Sequence, residues 1–288
     1  MLLKDFIADA VAALRALYPE EEARSVVRSL CEELLGVKSY THILEPGTEI
    51  PPAREAALAA AMERLKAAEP LQYVTGHASF CGFDFKVTPD VLIPRPETEC
   101  LVREACAAAA TMEHPIRVLD LCTGSGCVAW SVALLLPDAR VTGVDISEAA
   151  LAIAAGQDLS GPLRQAGAQA PSFVRCDILG DDIPFSAASF DLILANPPYV
   201  LESQKAAMRR NVLDYEPSLA LFVPDADPLV FYRAVARWAR HCLAPGGRGF
   251  VEINEDLGPD TRSLFLQNDF EKSVILDDYL GKNRIVAF

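Results

Sequence analysis

The stretch Asp120-Leu121-Cys122-Thr123-Gly124-Ser125-Gly126 stands between an apolar run and an apolar helical pattern. Residues 116–121 predict a buried strand, and residues 126–136 predict the helix that follows it. The two glycines permit positive φ angles and a close approach of a ligand to the backbone. A glycine-rich turn between a strand and a helix is typical of α/β domains that bind a nucleotide-like cofactor.

Strand and helix patterns alternate after this turn, which predicts βαβ units and a parallel sheet. Further helices are predicted after Ser147, which is placed as an N-cap, and at 228–243. Residues 156–171 are expected to be a connection, and residues 200–228 a loop with some helix. Further strands are predicted at 140–144, 173–175, 190–195, 249–253, 270–276 and 283–288.

Acidic residues at the strand ends indicate which cofactor the turn binds. Asp145 closes the second strand, where an acidic side chain typically holds ribose hydroxyls. Residues 124–129 also fit a dinucleotide fingerprint, so spacing alone leaves a nicotinamide cofactor and S-adenosylmethionine as alternatives. Asp120 would repel a pyrophosphate but attract an ammonium and a sulfonium, so we expect S-adenosylmethionine. Asp177 is a candidate acceptor for the adenine amino group.

The tetrapeptide Asn196-Pro197-Pro198-Tyr199 follows the fourth predicted strand, at the sheet edge where α/β domains bind ligands. An amide or exocyclic amino nitrogen is a poor nucleophile because its lone pair is delocalised, so its methylation needs acceptors for its hydrogens. The Asn196 side-chain carbonyl and the Pro197 backbone carbonyl offer two acceptors on a stiff turn. Tyr199 is predicted to stack on a planar acceptor. The pattern predicts methylation of a planar nitrogen.

The chain before residue 76 predicts only helices, at 2–17, from Glu20 to Gly36, and from Pro51-Pro52 to before Pro70. No chemical groups cluster there, so a structural cap and a docking domain for a partner both stay open. Alternating apolar residues at 83–87 predict a strand in a hairpin. We therefore predict a helical domain at 1–75, a β-hairpin linker at 76–93 and an α/β domain at 94–288.

Composition restricts the partners and the compartment. The net charge of −14, from 26 basic and 40 acidic residues, disfavours nucleic acid as a direct partner. Eight cysteines without a CxxC pair indicate reduced thiols rather than a metal site or disulfides. No signal sequence and no membrane span is apparent. We expect a cytoplasmic monomer without a metal.

Motifs along most of the chain resemble one known family, the HemK-type, PrmC-like protein-(glutamine-N5) methyltransferases, which modify class I peptide chain release factors. The Asn196 to Tyr199 motif alone is shared with adenine and guanine amino methyltransferases, whereas its combination with residues 92–99 is more specific. The motifs that carry the resemblance are Leu71-Gln72-Tyr73-Val74-Thr75-Gly76, Leu92-Ile93-Pro94-Arg95-Pro96-Glu97-Thr98-Glu99, the Asp120 to Gly126 turn, Asn196 to Tyr199, Tyr215-Glu216-Pro217, Pro245-Gly246-Gly247 and Gly281-Lys282-Asn283-Arg284.

The resemblance implies a Rossmann-like class I methyltransferase domain with a seven-stranded sheet, and a helical domain that helps to recognise the release factor. The implied acceptor is the glutamine of a Gly-Gly-Gln motif, bound by Asn196 and the Pro197 carbonyl, with Pro198 and Tyr199 beside it. The implied product of the cofactor is S-adenosylhomocysteine. Cofactor contacts are implied for Cys122, Thr123, Gly124, Ser125, Gly126, Asp145, Ile178 and Asn196. Cys122 stands where glycine is frequent, and Ile178 where an aromatic residue often covers the adenine.

Three alternatives to this interpretation stay open. A nucleic-acid amino methyltransferase shares the tetrapeptide but requires a basic groove, for which this acidic chain offers no obvious source. A sister enzyme that methylates a glutamine of a ribosomal protein shares nearly all of the motifs. A non-catalytic binding module could keep the fold, although every position with a predicted chemical role carries a competent residue.

Overall fold

The computed structural model describes all 288 residues, Met1–Phe288. Its α-helices are α1 Leu3–Leu14, α2 Glu20–Leu35, α3 Thr41–Leu44, α4 Pro52–Lys66, α5 Leu71–Thr75, α6 Glu99–Ala109, α7 Cys127–Leu135, α8 Glu148–Ala155, α9 Ser160–Ala166, α10 Arg210–Leu213, α11 Val230–Cys242 and α12 Gly258–Gln267. Its strands are β1 His77–Phe80, β2 Phe83–Lys86, β3 Arg117–Leu121, β4 Arg140–Asp145, β5 Ser172–Arg175, β6 Phe190–Ala195, β7 Val200–Leu201, β8 Phe222–Val223, β9 Leu243–Glu252, β10 Val274–Asp277 and β11 Asn283–Ala287.

The chain divides into two compact units. The first contains Met1–His77 and Arg209–Tyr215, and the second contains Ala78–Met208 and Glu216–Phe288. The hairpin of β1 and β2 lies almost wholly in the second unit. The second unit therefore holds the sheet, and the first is helical.

The first unit is built from amphipathic helices that bury one face each. Leu3, Ile7 and Leu14 of α1 recur at helical spacing and pack in one core with Leu30 of α2 and Leu65 of α4. Gly36 ends α2 in the left-handed conformation, as its position after the apolar pattern predicts. The short helix α10 belongs to this unit, in which the Tyr215 hydroxyl donates to the Ala67 carbonyl at 2.9 Å.

The second unit is organised around a seven-stranded mixed sheet of order β10-β11-β9-β6-β3-β4-β5. Strands β3, β4, β5, β6 and β9 run parallel, and β11 runs antiparallel to both of its neighbours. The predicted α/β architecture with a seven-stranded sheet and an N-terminal helical unit is confirmed.

Two apolar cores cover the two faces of this sheet. Leu192 and Leu194 of β6 point into the core shared with α6 and α7, whereas Ile193 points into the core that holds Trp238 of α11. Side chains of one strand thus alternate between the two faces. The burial fixes the strand register, and the register fixes which residues end at the carboxyl edge.

The structure corrects three expectations about secondary structure. Residues 156–171 were expected to be a connection but contain the helix α9. Gly161 and Pro162 do not prevent this helix, because they lie in its first turn, where a missing N–H is tolerated. Residues 200–228 contain the short parallel pair of β7 and β8, each too short to show a periodicity. The first closing strand begins at Val274 rather than at residue 270, and α12 precedes it.

No helix is both long and apolar enough to cross a membrane. No group of three or more His, Cys, Asp or Glu side chains is arranged to hold a metal ion.

Candidate active site

The candidate site lies at the carboxyl edge of the sheet, where the strand order reverses. Strand β3 lies between β4 and β6, and the chain enters β4 on one side before it returns to β6 on the other. Leu121 is level with Val144 of β4 and with Ala195 of β6, so these strands end together. A reversal of this kind leaves a crevice between the loops that follow the strands, which is where open α/β sheets bind ligands.

A cavity opens at this reversal, and ten of the thirteen predicted site residues line it. Gly126, Pro197 and Tyr199 do not line it. The predicted residues that do are Asp120, Cys122, Thr123, Gly124, Ser125, Asp145, Asp177, Ile178, Asn196 and Pro198.

The glycine turn follows β3 and has three left-handed residues, Cys122 with φ 60°, Gly124 with φ 54° and Gly126 with φ 78°. Cys122 adopts this conformation without being a glycine, so the backbone still forms the turn that a glycine would. The Gly124 N–H donates to Asp145 Oδ2 at 2.9 Å, and the Thr123 N–H donates to the Val144 carbonyl at 3.0 Å. The turn is thereby fixed to the end of β4.

Gly126 serves packing rather than the cavity. A Cβ at this position would lie 3.0 Å from Ala154 Cβ, 3.1 Å from Trp130 Cδ1 and 3.2 Å from Phe173 Cζ. The glycine therefore lets α7 begin close to its neighbouring elements. The predicted cofactor contact of Gly126 stays a prediction.

We expect Gly126→Ala to destabilise the protein more than Gly167→Ala does, by about 1 to 3 kcal/mol, the usual cost of overpacking. Both glycines have a left-handed φ, 78° and 68°, but nothing lies within 4 Å of a Cβ at Gly167. An alanine at either position is strained by about 1 to 2 kcal/mol in the left-handed conformation, and only the alanine at residue 126 also clashes with neighbouring side chains. Urea unfolding measures the free energy of unfolding of the two variants. Equal losses of stability would contradict the packing role of Gly126.

Asp120 is the most strongly buried charge in the cavity wall, with 1% of its surface exposed. Burial raises its pKa to about 7, although hydrogen bonds from the Thr123 hydroxyl and the Ala129 backbone oppose the rise. The Thr123 hydroxyl donates to Asp120 Oδ2 at 2.6 Å. A carboxyl group without a cationic partner in such a place is suited to bind a ligand that brings the positive charge.

Asp145 and Asp177 lie at the ends of the next two parallel strands. Burial raises the pKa of Asp145, and donors on the backbone of Ser147, Gly124 and Ile146 oppose the rise. Asp177 Oδ1 accepts from the Leu179 N–H at 2.9 Å. Ile178 is 4% exposed and gives the cavity an apolar wall between these polar groups.

Asn196 presents its carboxamide at the end of β6. Its Nδ2 donates to the Thr98 hydroxyl oxygen at 3.2 Å, and no donor of the protein reaches its Oδ1. Thr98 lines the same cavity. The amide oxygen is thus left as an acceptor for a ligand.

Tyr199 points away from the cavity that Asn196 lines. Its hydroxyl donates to Glu252 Oε1 at 2.9 Å, and its backbone carbonyl accepts from Asn254 Nδ2 at 3.2 Å. Burial, followed by the charge of Glu252, raises the pKa of Tyr199 well above its usual value. The side chain anchors the tetrapeptide to the end of β9, and its stacking on an acceptor stays a prediction.

The cavity also has lining residues to which the sequence assigned no role. Arg95 is one, and its Nη2 lies 2.5 Å from Oε1 of the buried Glu216, whose Oε2 accepts from the Ile93 N–H at 3.2 Å. Pro217 and Leu219, just after Glu216, form part of the wall. The segments that contain Arg95 and Glu216 both occur among the motifs of the resemblance. The sequence alone, however, does not show that these two residues form an ion pair.

The sheet order, the acidic strand ends and the asparagine turn after β6 together define a class I methyltransferase fold. Residues 5–76 match the family model described as the PrmC N-terminal domain, and residues 118–214 match the model described as a methyltransferase domain.

Relatives match over almost the whole chain. The release factor glutamine methyltransferase of Bacteroides thetaiotaomicron is 41% identical, over 96% of this chain and 95% of its own. That of Flavobacterium psychrophilum is 34% identical, over 99% and 98%. A solved structure, the release factor-specific protein-(glutamine-N5) methyltransferase of Alicyclobacillus acidocaldarius, is 29% identical over 70% of this chain and 97% of that one, with a TM-score of 0.41. The chain belongs to the release factor glutamine methyltransferase family.

Proposed function

We propose that this enzyme transfers a methyl group from S-adenosylmethionine to the side-chain amide nitrogen, N5, of the glutamine in the Gly-Gly-Gln motif of class I peptide chain release factors. The observation that carries the proposal is the free Oδ1 of Asn196 at the cavity wall, held on a carboxamide whose other end is fixed by Thr98. The names of the relatives support the choice of acceptor.

The residues of the cavity fit S-adenosylmethionine, which supplies an electrophilic methyl group when it is bound. Asp120 is a buried carboxyl group that no Lys or Arg neutralises, so it suits the ammonium of the methionine end. Asp145 retains lone pairs beyond those used by Gly124 and Ser147, which suits ribose hydroxyls. Ile178 suits one face of the adenine, and Asp177 its amino group.

The acceptor amide needs to be held and its hydrogens accepted as its nitrogen attacks. Asn196 Oδ1 accepts one N–H, and the Pro197 carbonyl is proposed to accept the other, so that the nitrogen lone pair is freed from conjugation with its carbonyl. Because both acceptors sit on a turn anchored by Asn254 and Glu252, little reorganisation is needed during the reaction. Most of the remaining acceleration comes from alignment of the nitrogen with the methyl group.

The helical domain predicted at residues 1–75 is proposed to help recognise the release factor, followed by the linker at 76–93 and the catalytic domain at 94–288. The match of residues 5–76 to the PrmC N-terminal domain supports this assignment. The enzyme is proposed to act in the cytoplasm as a monomer, on a protein rather than on nucleic acid.

Parallel incubations with methyl-labelled S-adenosylmethionine test the class of acceptor. A class I release factor, a ribosomal protein fraction and total RNA each receive the enzyme under the same conditions. We expect label in the release factor alone. Label in ribosomal protein or RNA, with none in the release factor, would overturn the proposed substrate.

A further inference from the structure

We infer that Arg95, held by the buried carboxylate of Glu216, binds the α-carboxylate of S-adenosylmethionine. This role rests on the cofactor of the proposed function, and it gives a partner to the one charged group of that molecule that has none so far. The methionine end carries an ammonium and a carboxylate on the same carbon. Asp120 suits the ammonium, whereas a carboxylate binds most strongly to hydrogen-bond donors that carry a positive charge.

The charged side chains that line the cavity are very unequal in sign. Arg95 is the only basic residue in its wall. The acidic residues in the wall are Asp90, Asp120, Asp145 and Asp177. Most of the wall therefore repels an anionic group, and only Arg95 attracts it. A ligand end with both charges is expected to direct its carboxylate to Arg95 and its ammonium to an acid.

The strand order places Arg95 at the end of the cavity opposite to the proposed adenine ligand. Asp120 ends near the carboxyl edge of β3, with β4 and then β5 on one side and β6 on the other. Asp177 follows β5, and Asn196 follows β6. Arg95 lies on the Asn196 side, because its carbonyl accepts from the Thr98 N–H at 3.0 Å and the Thr98 hydroxyl contacts Asn196 Nδ2 at 3.2 Å.

The backbone donors of the glycine turn are already used within the protein. The Thr123 N–H donates to the Val144 carbonyl at 3.0 Å, and the Gly124 N–H donates to Asp145 Oδ2 at 2.9 Å. The Gly126 N–H donates to the Thr123 carbonyl at 2.8 Å. With these three N–H groups occupied, the turn has few donors left for an anion, which favours a side-chain donor for the ligand carboxylate.

The guanidinium of Arg95 keeps free donors despite its ion pair. Its Nη2 lies 2.5 Å from Glu216 Oε1, and no acceptor of the protein pairs with its Nε or Nη1. An arginine side chain has five N–H donors and can bind a carboxylate through two parallel hydrogen bonds. Arg95 can therefore hold Glu216 and a ligand carboxylate at the same time.

Glu216 fixes the segment around Arg95 at two points. Its side chain is 1% exposed, and its Oε2 accepts from the Ile93 N–H at 3.2 Å while its Oε1 holds the guanidinium. Pro94 and Pro96 flank Arg95 and restrict its backbone further. The Arg95 side chain is 33% exposed, so its free donors remain accessible from the cavity. A cation held in this way loses little conformational entropy when a ligand binds.

Titration calorimetry with two stable ligands tests this contact without any acceptor. The first is S-adenosylhomocysteine, and the second is S-adenosyl-3-thiopropylamine, which is the same molecule without its carboxyl group. We expect the wild-type enzyme to bind the first on the order of 10²-fold more tightly, as for hydrogen bonds between charged groups. Arg95→Met should lose this preference through weaker binding of S-adenosylhomocysteine. Arg95→Lys should retain part of the preference, because lysine keeps the charge but not the planar fork.

A double variant separates a direct contact from the mere neutralisation of Glu216. In Arg95→Met alone, the unpaired carboxylate of Glu216 would by itself repel the ligand carboxylate. Arg95→Met combined with Glu216→Gln removes both charges, and this double variant should still bind the two ligands with nearly equal affinity. Return of the wild-type preference in the double variant would overturn the inference.

Arg117→Met is the matched control, because Arg117 pairs with Asp191 at 2.7 Å, lies at the start of β3 and does not line the cavity. Its preference between the two ligands should equal that of wild type. A preference that survives in Arg95→Met, even with weaker binding of both ligands, would overturn the inference and leave the proposed reaction untouched. Failure of the wild-type enzyme to bind S-adenosylhomocysteine would overturn the proposed cofactor and the inference together.

Discussion

Asn196→Ala lowers kcat on the order of 10³-fold, while the Kd for S-adenosylmethionine changes by less than about tenfold. The amide oxygen of Asn196 is the acceptor that the structure leaves free at the cavity wall, and alanine provides no substitute. The interaction forms most strongly as charge develops on the acceptor nitrogen, so its loss appears in kcat more than in binding.

Asn268→Ala is the control for this variant, because Asn268 lies at the end of α12 and its side chain donates only to the Leu264 carbonyl. We expect a small loss of stability and wild-type kcat. Single-turnover measurements with labelled cofactor give the chemical step directly for both variants. Wild-type turnover by Asn196→Ala would remove Asn196 from the mechanism.

Asp120→Asn weakens binding of S-adenosylmethionine on the order of 10²-fold at pH 8. Loss of one member of a buried charge pair has effects of this size, because the partner charge is then left without compensation. In the free wild-type enzyme the pKa of Asp120 is raised to about 7, so the carboxyl group is protonated below that pH and ionised above it. The wild-type affinity should therefore rise with pH up to about 7 and then level off, whereas Asp120→Asn should lack this rise.

The same substitution should stabilise the free enzyme at pH 8. A carboxyl group whose pKa is higher in the folded than in the unfolded chain opposes folding once it ionises. This penalty grows as the pH rises from the unfolded pKa to about 7, and stays constant above. Titration calorimetry measures the affinity for S-adenosylmethionine, and scanning calorimetry measures the stability of the free enzyme, each at pH 6 and pH 8. Asp9→Asn, on the exposed face of α1, is the control. Loss of affinity together with loss of stability would indicate a structural role instead.

The strand ends were the most predictable part of the site. Asp120 and Asp145 lie at the carboxyl ends of β3 and β4, and Asn196 directly follows β6. Parallel neighbouring strands bring their carboxyl ends to the same edge of a sheet, so the sequence pattern was enough to place these residues together. The preference for S-adenosylmethionine over a dinucleotide also followed from the position of Asp120 alone. A carboxylate at a buried strand end has few cationic partners within the protein, so it favours a ligand with a positive charge.

Contacts between distant segments were beyond sequence reasoning. Thr98 and Asn196 are 98 residues apart, and Arg95 and Glu216 are 121 residues apart, so only the packed fold brings them together. The direction of Tyr199 was equally hidden, because the tetrapeptide fixes its backbone but not the partner at Glu252 that its hydroxyl reaches. The helix α9 was missed because glycine and proline in a first turn resemble a loop.

The measurement that tests the central claim most directly is tandem mass spectrometry of a class I release factor after incubation with the enzyme and S-adenosylmethionine. We expect a single added methyl group on the side-chain nitrogen of the Gly-Gly-Gln glutamine. A factor in which that glutamine is replaced should gain no methyl group, and neither should the native factor incubated with Asn196→Ala. A methyl group on another residue of the factor, or its persistence after replacement of the glutamine, would contradict the account.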